Sequence, residues 1–254
     1  MFLRFRHLVI GICLVFSIWY LGFGSFASAK EYDGIWFLGF NVQKPPFDNV
    51  LVREAAAHAI TKNTADETAV GSLIPPGMTG FDPALKPWKY NVKFAKSLLK
   101  KAGYNPTDSR LKSITLLHTD GIKTVEVAKK IQTDLKQLGL KIELVEIPYK
   151  DEEKWSRQLS ARKNNLFLMG YKAGGDLAFT EEASSIKADA YKLLDPLFRT
   201  GGDVNFTGYS NSAVDLLLDK TAVFSVERES KLKEINRIVY KELPVLVLFY
   251  IEKL

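Results

Sequence analysis

His118 stands two residues before Asp120, a spacing at which an imidazole and a carboxylate can act as an acid–base pair. A hydrolase built on that pair also needs a nucleophile, and no glycine-flanked serine elbow accompanies it. His118 therefore reads as a histidine at a loop edge. His58 is the other histidine beyond residue 29, and two imidazoles without a thiolate or a tight carboxylate cluster make a poor zinc site. The single cysteine, Cys13, lies near the amino terminus, so the chain beyond it has no disulfide, thiolate metal ligand or cysteine nucleophile. Gly174-Gly175 and Gly201-Gly202 do not lead into Lys-Ser or Lys-Thr, which excludes a phosphate loop. What remains is the chemistry of contact. Trp36, Trp88 and Trp155 offer stacking surfaces, although packing is the commoner fate of a tryptophan in an α/β core. Tyr171 is the stronger candidate, because it closes an apolar run of strand length, and open α/β sheets place ligands at strand ends. These residues point to binding rather than catalysis, with no metal and no cofactor implied.

The first residues say where such a protein would work. Arg4 and Arg6 precede an apolar run from Leu8 to Phe26, and Ala27-Ser28-Ala29 then places small residues around an exit before Lys30. A positive start, an apolar middle and a small-x-small end predict a secretory signal peptide over 1–29 and a periplasmic chain from Lys30 onward. The run is about as long as the ~20 residues that cross a bilayer, so an uncleaved anchor is the alternative. Cys13 follows Ile10-Gly11-Ile12, a poor lipoprotein context.

The formal charge is +6, and the leader carries two arginines and no acid, so the chain without it is mildly basic. The densest cluster is Lys86, Lys89, Lys93, Lys96, Lys100 and Lys101. A solvated helix face is the favoured reading, with a nucleic-acid or acidic-membrane patch as the alternative. No nucleic-acid partner is expected.

The elements that would position these groups alternate. Ile35-Trp36-Phe37-Leu38-Gly39-Phe40-Asn41 has strand character and stops at Lys44-Pro45-Pro46. Asp48 or Asn49 caps a helix through Val52, Ala55, Ala56 and Ala59. Prolines and glycines over 63–90 predict a long surface loop. Asn91 opens a helix with Phe94, Ala95, Leu98 and Leu99 on one face, ended by Gly103. Ile114 to His118 forms a strand, Val127, Ile131, Leu135 and Leu138 stripe a helix, and Leu140 to Ile147 forms a second strand. Strand, helix and strand with short joins require a crossover between parallel strands, and hence an α/β sheet. Asp151 caps a helix through Trp155 and Leu159, and Leu166 to Tyr171 is a buried strand. Ser210 or Ser212 caps a helix holding Val214, Leu217 and Leu218, and a longer helix spans 227–243. After Pro244, Val245 to Ile251 reads as a central, fully apolar strand. It is expected to lie beside Trp36 to Phe40 at one edge of the domain.

From Tyr32 to Ile251 the chain resembles the extracellular solute-binding proteins of the peptide, nickel and opine type (family 5), which serve ABC importers. The resemblance rests on Phe37-Leu-Gly-Phe-Asn41 with Lys44-Pro-Pro-Phe-Asp48, Val52-Arg-Glu-Ala55, Ile74-Pro-Pro-Gly77, Ala102-Gly103-Tyr104, the crossover unit, and Asn205-Phe-Thr-Gly-Tyr-Ser-Asn211. It implies one lobe of a type II periplasmic-binding-protein-like fold over 30–254, with a mixed sheet and flanking helices. It also implies a non-catalytic role in transmembrane peptide transport. Members are roughly twice this long, so the resemblance implies a chain shortened to its second lobe. The partners implied are a short peptide, an ABC transporter permease and a separate complementary lobe. A shortened lobe that binds no small ligand and pairs with another chain is the alternative. Peptide-binding members often carry an aspartate a few residues after an aromatic, where its carboxylate holds the ligand's α-amino group. In Gly170-Tyr171-Lys172-Ala173-Gly174-Gly175-Asp176 a glycine occupies the expected acid position, leaving Asp176 as the candidate. By the same analogy Tyr171 stacks on the ligand, and Asn205 and Tyr209 line the cleft.

Overall fold

The computed structural model describes residues 30–61, 71–174, 189–223 and 225–253. The expected signal peptide over 1–29 and the candidate Asp176 lie outside the described residues. Five strands form one mixed sheet: β1 (Tyr32–Phe40), β2 (Ile114–Thr119), β3 (Ile142–Ile147), β4 (Leu166–Lys172) and β5 (Val245–Glu252), in the order β3-β2-β4-β1-β5. β2 runs parallel to β3 and β4, whereas β1 is antiparallel to both β4 and β5.

Alternation along the strands divides the interior into two layers, because successive side chains point to opposite faces. Leu38, Phe40, Leu116, Leu166 and Leu168 pack under α1 (Val50–Ala59), α2 (Val92–Lys101) and α3 (Ile122–Lys136). Ile35, Phe37, Leu117, Phe167 and Met169 pack under α4 (Glu152–Ser160), α5 (Ala190–Phe198), α6 (Ser212–Thr221) and α7 (Arg228–Glu242). The result is helix, sheet, helix, an arrangement that buries both faces of the sheet.

The parallel crossover β2-α3-β3 and the β1–β5 pair are both present as the sequence requires. In that pair Tyr32 faces Glu252 and Gly39 faces Val245. Lys30 pairs with Glu252, and Lys253 lies 3.5 Å from Glu31. Chain preceding β1 and chain following β5 would therefore leave the lobe side by side.

Other expectations change. β5 is an edge strand among the described residues rather than a central one, and Phe249 on it is 37% exposed. Residues 71–74 are buried instead of forming a surface loop: the Leu73 amide donates to Asn236 Oδ1 (3.0 Å) and Tyr250 Oη donates to the Ser72 carbonyl (2.9 Å). Prolines forbade regular structure there, but a side chain on α7 satisfies the backbone in its place. Phe94 is 45% exposed, while Ala95, Leu98 and Leu99 of α2 point inward as expected. The cap of α6 is Asn211, whose Oδ1 accepts from the Ala213 and Val214 amides, and neither candidate serine is used. Helix α5 carries an internal Pro196 and has no counterpart in the sequence reading.

Candidate functional site

The carboxyl ends of β2, β3 and β4, with the amino end of β1, form one rim of the sheet. Such a rim is where an α/β sheet has backbone and loop groups free to meet a ligand. At its centre the Ala173 amide donates to the Asp33 carbonyl (2.7 Å), and Lys172 Nζ lies 3.5 Å from Asp33 Oδ2, both side chains being largely covered. Asp33 Oδ1 is buried without a hydrogen-bond partner. Gly34 allows this close approach of β1 to β4, since a Cβ there would sit 2.3 Å from the Tyr171 carbonyl.

Along the rim, Asp120 Oδ1 accepts from the Tyr149 amide at 2.6 Å, and Tyr149 is 44% exposed. His118 is buried; its Nδ1 meets the Thr119 carbonyl at 2.8 Å and its Nε2 has no partner. Neither ring nitrogen bonds Asp120, so the two do not form the dyad that their spacing permits. Among the described residues, no group of three or more His, Cys, Asp or Glu side chains is placed to hold a metal ion.

Beside the rim, under the first turns of α3, lies a cavity of about 190 Å³ lined by Trp36, Lys123, Thr124, Val127, Leu168 and Phe249. Trp36 stacks on Phe249 across β1 and β5, with ring centroids 5.8 Å apart and planes at 27°. The floor is aliphatic, the wall aromatic, and the mouth carries one ammonium. Helix α3 begins at Gly121 without a side-chain cap. Its first-turn amides and macrodipole therefore add to the positive field of Lys123. The cavity can take one apolar side chain next to a negative group. Its volume is below the roughly 300 Å³ at which pockets for whole small ligands begin.

The structure brings Tyr171 and Trp36 to the rim region but gives the other candidates different surroundings. Tyr171 is 2% exposed and belongs to the layer under α4 to α7. Trp155 is in the same core, and Trp88 stacks on Tyr240 at 5.1 Å. Asn205 is 1% exposed and hydrogen-bonded on both ends of its amide: Nδ2 donates to the Arg199 and Tyr209 carbonyls (2.9 and 2.8 Å), and Oδ1 accepts from Thr207 Oγ1 and the Tyr209 amide. Tyr209 is 5% exposed, and its hydroxyl donates to Glu242, which also accepts from Asn211 Nδ2 at 2.9 Å. Burial and the adjacent Glu242 carboxylate raise the Tyr209 phenol above its ordinary pKa. Asn205 and Tyr209 thus organise a turn inside the chain instead of facing an open cleft. Lys123, Thr124 and Phe249 were not legible as site residues. For Lys123 and Thr124 the available signal was their place just after the turn that ends a parallel strand; for Phe249 the apolar run gave none.

Arg53, from the Val52-Arg53-Glu54-Ala55 motif, is also a framework residue. It is 6% exposed and donates to the carbonyls of Phe47 (2.7 Å), Glu242 and Leu243 (3.0 Å), closing the end of α7 where Leu243 takes φ 49°. Burial lowers its pKa while the neighbouring Glu242 opposes that shift.

The sheet order, the two helical layers and the paired strands β1 and β5 define a mixed α/β lobe. The family described as bacterial extracellular solute-binding proteins, family 5 matches residues 22–182, and the chain belongs to that family. Heme-binding protein A of Haemophilus influenzae is 25% identical over 221 residues, 83% of this chain and 37% of the relative. Dipeptide-binding protein DppE of Bacillus subtilis is 27% identical over 246 residues, 87% of this chain and 40% of the relative. The solved structure of the ABC transporter-associated periplasmic binding protein DppA from Helicobacter pylori, in complex with peptide STSA, has the same fold over 88% of this chain and 43% of its own, with a TM-score of 0.74 at 23% identity. The chain spans about two fifths of the length of these relatives.

Proposed function

We propose that residues 30–254 form one ligand-facing lobe of an exported, non-catalytic receptor for short peptides that delivers to an ABC transporter permease across the periplasm. The observation that carries this reading is the rim itself. The amino end of β1, the carboxyl end of β5 and the aromatic cavity lie at one edge region of the sheet, and β4 ends there a few residues before Asp176 in the sequence. A second lobe joined through β1 and β5 would face that region directly. The Trp36–Phe249 cavity then takes a peptide side chain, Lys123 and the start of α3 meet a carboxylate, and Asp176 holds the α-amino group close to Tyr171. Asn205 and Tyr209 hold the wall behind the site. Residues 1–29 serve as the export signal. Among the described residues no helix is long and apolar enough to cross a membrane.

One lobe offers half of the wall and leaves the facing groups wet. A micromolar complex needs about −8 kcal/mol, and losing ~4 kcal/mol of it leaves a dissociation constant of roughly a millimolar. Isothermal titration of the chain alone against di- to pentapeptides is therefore expected to give roughly millimolar affinity, with Asp176→Ala changing little. A micromolar complex that Asp176→Ala abolishes would show that the single lobe is a complete receptor and would overturn the two-lobe reading.

A further inference from the structure

Residues 86–101 contain six lysines and no acid. Those six equal the entire formal excess of the chain, which has 35 basic and 29 acidic residues. Some lysines elsewhere find carboxylates, among them Lys130 with Asp134, Lys172 with Asp33, Lys231 with Glu227 and Lys233 with Glu229. Lys86, Lys89, Lys93, Lys96, Lys100 and Lys101 are all exposed, and among the described residues none of them forms an ion pair. On α2, Lys93, Lys96 and Lys100 follow one another at i, i+3 and i+7, so they project from one side of the helix. Holding like charges this close is unfavourable unless something negative is met.

Two aromatic rings border this surface: Tyr90 just precedes α2, and Phe94 lies about 100° around the helix from Lys93, on the side of Lys101. Tyr90 is 49% exposed and Phe94 is 45% exposed. Both are fixed from beneath. Phe94 meets the His58 ring edge-on at 5.0 Å, Trp88 meets the same ring at 5.2 Å, and Tyr90 Oη donates to Gln137 Oε1 at 3.3 Å. His58 Nδ1 in turn contacts the Lys89 carbonyl at 2.6 Å. The surface therefore presents held aromatic rings beside exposed ammonium groups on α2 and the segment just before it.

We propose that this face docks the lobe on an anionic phospholipid surface, with the lysines at the headgroups and Tyr90 and Phe94 at the boundary with the acyl region. Aromatic rings favour that boundary, and lysines near an anionic leaflet each raise partition by about fivefold. Neither signal suffices alone, and the face carries both. The chemistry also separates this occupant from its rivals. All six cations are lysines, which act as point charges, whereas recognition of an individual phosphate or carboxylate favours the planar fork of arginine. The rings stand on a helix face and its flank rather than lining a groove, as stacking on single-stranded nucleic acid requires.

The test is flotation of the full chain with vesicles of phosphatidylcholine alone or of phosphatidylcholine with one third phosphatidylglycerol. Because residues 1–29 are apolar and carry two arginines, parent and variants are compared at lipid concentrations where the parent is less than half bound, so that a change in partition is not masked. Phosphatidylglycerol should raise the bound fraction of the parent by about tenfold or more at low salt, and added salt should reverse it. The combined variant K93Q/K96Q/K100Q should lose most of that gain. Lys86→Gln with Lys89→Gln reads the same surface without touching α2, and should lose a smaller share. Tyr90→Ser with Phe94→Ser should weaken binding several-fold while leaving the salt dependence in place. A gain from phosphatidylglycerol that is absent, or unchanged in both lysine variants, would overturn the proposal. So would retention of the parent on DNA or polyglutamate without retention on the anionic vesicles.

Discussion

The turn from Asn205 to Asn211 and the rim at the ends of β2, β3 and β4 use the same residue types to opposite ends. In the turn, both ends of the Asn205 amide are satisfied, Tyr209 and Asn211 share Glu242, and Arg162 Nη2 donates to the Asn205 carbonyl at 2.8 Å. Gly208 at φ 70° completes the reversal against Gln43, where a side chain would collide. At the rim, Asp33 Oδ1 and His118 Nε2 lack partners, Tyr149 and Phe249 are partly exposed, and a cavity remains open. Saturation marks the turn as framework, and an open cavity beside exposed rings marks the rim as a surface with binding left to do. A motif shared across a family does not distinguish the two.

The largest expected effect breaks the turn. Asn205→Ala removes four hydrogen bonds and leaves the Tyr209 carbonyl without its donor and the Thr207 hydroxyl without its acceptor in a buried setting. Leaving buried groups unpaired costs about 1–3 kcal/mol per site, so a loss of roughly 3 kcal/mol is expected in urea unfolding. If Asn205 were a ligand contact instead, the variant would unfold with the parent and lose only binding.

That distinction also explains what the sequence could and could not show. Apolar runs of strand length identified β1, β2, β4 and β5, alternation identified β3, and a 3.6 period identified α2 and α3, because burial on one or both faces selects the apolar positions directly. The β1–β5 pairing followed from the resemblance to two-lobed binding proteins, in which the crossing segments run together, and from the abrupt stop of both strands. The cap of α6 was missed by one residue, since Ser210, Asn211 and Ser212 all carry cap-forming side chains and only the approach of Glu242 to Asn211 decides among them. Helix α5 was invisible because Pro196 breaks its pattern. The site was least legible. Lys123 lies 45 residues before Leu168 and more than 120 before Phe249, so the cavity exists only through strand order, which no local pattern encodes.

Alkaline pH should act on the framework before it acts on the rim. Burial, aided by Glu242, raises the Tyr209 phenol, and burial, aided by Tyr32, raises that of Tyr250. A folded-state pKa above the unfolded value of about 10 means that the stabilisation is complete below pH ~10 and is lost as pH rises through the folded value. Urea midpoints should therefore hold from neutral pH to about 10 and then fall. Tyr209→Phe should flatten that fall, at the cost of a lower midpoint at neutral pH. An equal slope in parent and variant would remove Tyr209 from the account.

At the rim the order of effects reverses, with stability changing little and binding changing more. Trp36→Ala deletes a half-buried ring and its stack on Phe249, a contact worth about 0.5–1.5 kcal/mol beyond area burial. Thermal unfolding should move by only a few degrees. Peptides ending in a large apolar residue should lose their advantage over those ending in glycine. If that preference survives, the cavity is not the side-chain pocket.

The smallest change in stability, and the sharpest probe of the comparison, is Lys123→Gln. Lys123 has no ion pair among the described residues and lies on the first turn of α3, where a positive charge is slightly unfavourable to the helix dipole. Removing the charge should leave stability within about 0.5 kcal/mol or raise it slightly. Its effect on ligands should instead follow their charge. A peptide with a free terminal carboxylate should weaken severalfold, while the same peptide with an amidated end should bind parent and variant alike, because the ammonium acts only on the negative partner. Competition titrations with the two peptides would measure this directly. Equal loss for both would mean that Lys123 contributes only its aliphatic stem to the cavity wall, and that the carboxylate is met elsewhere on the rim.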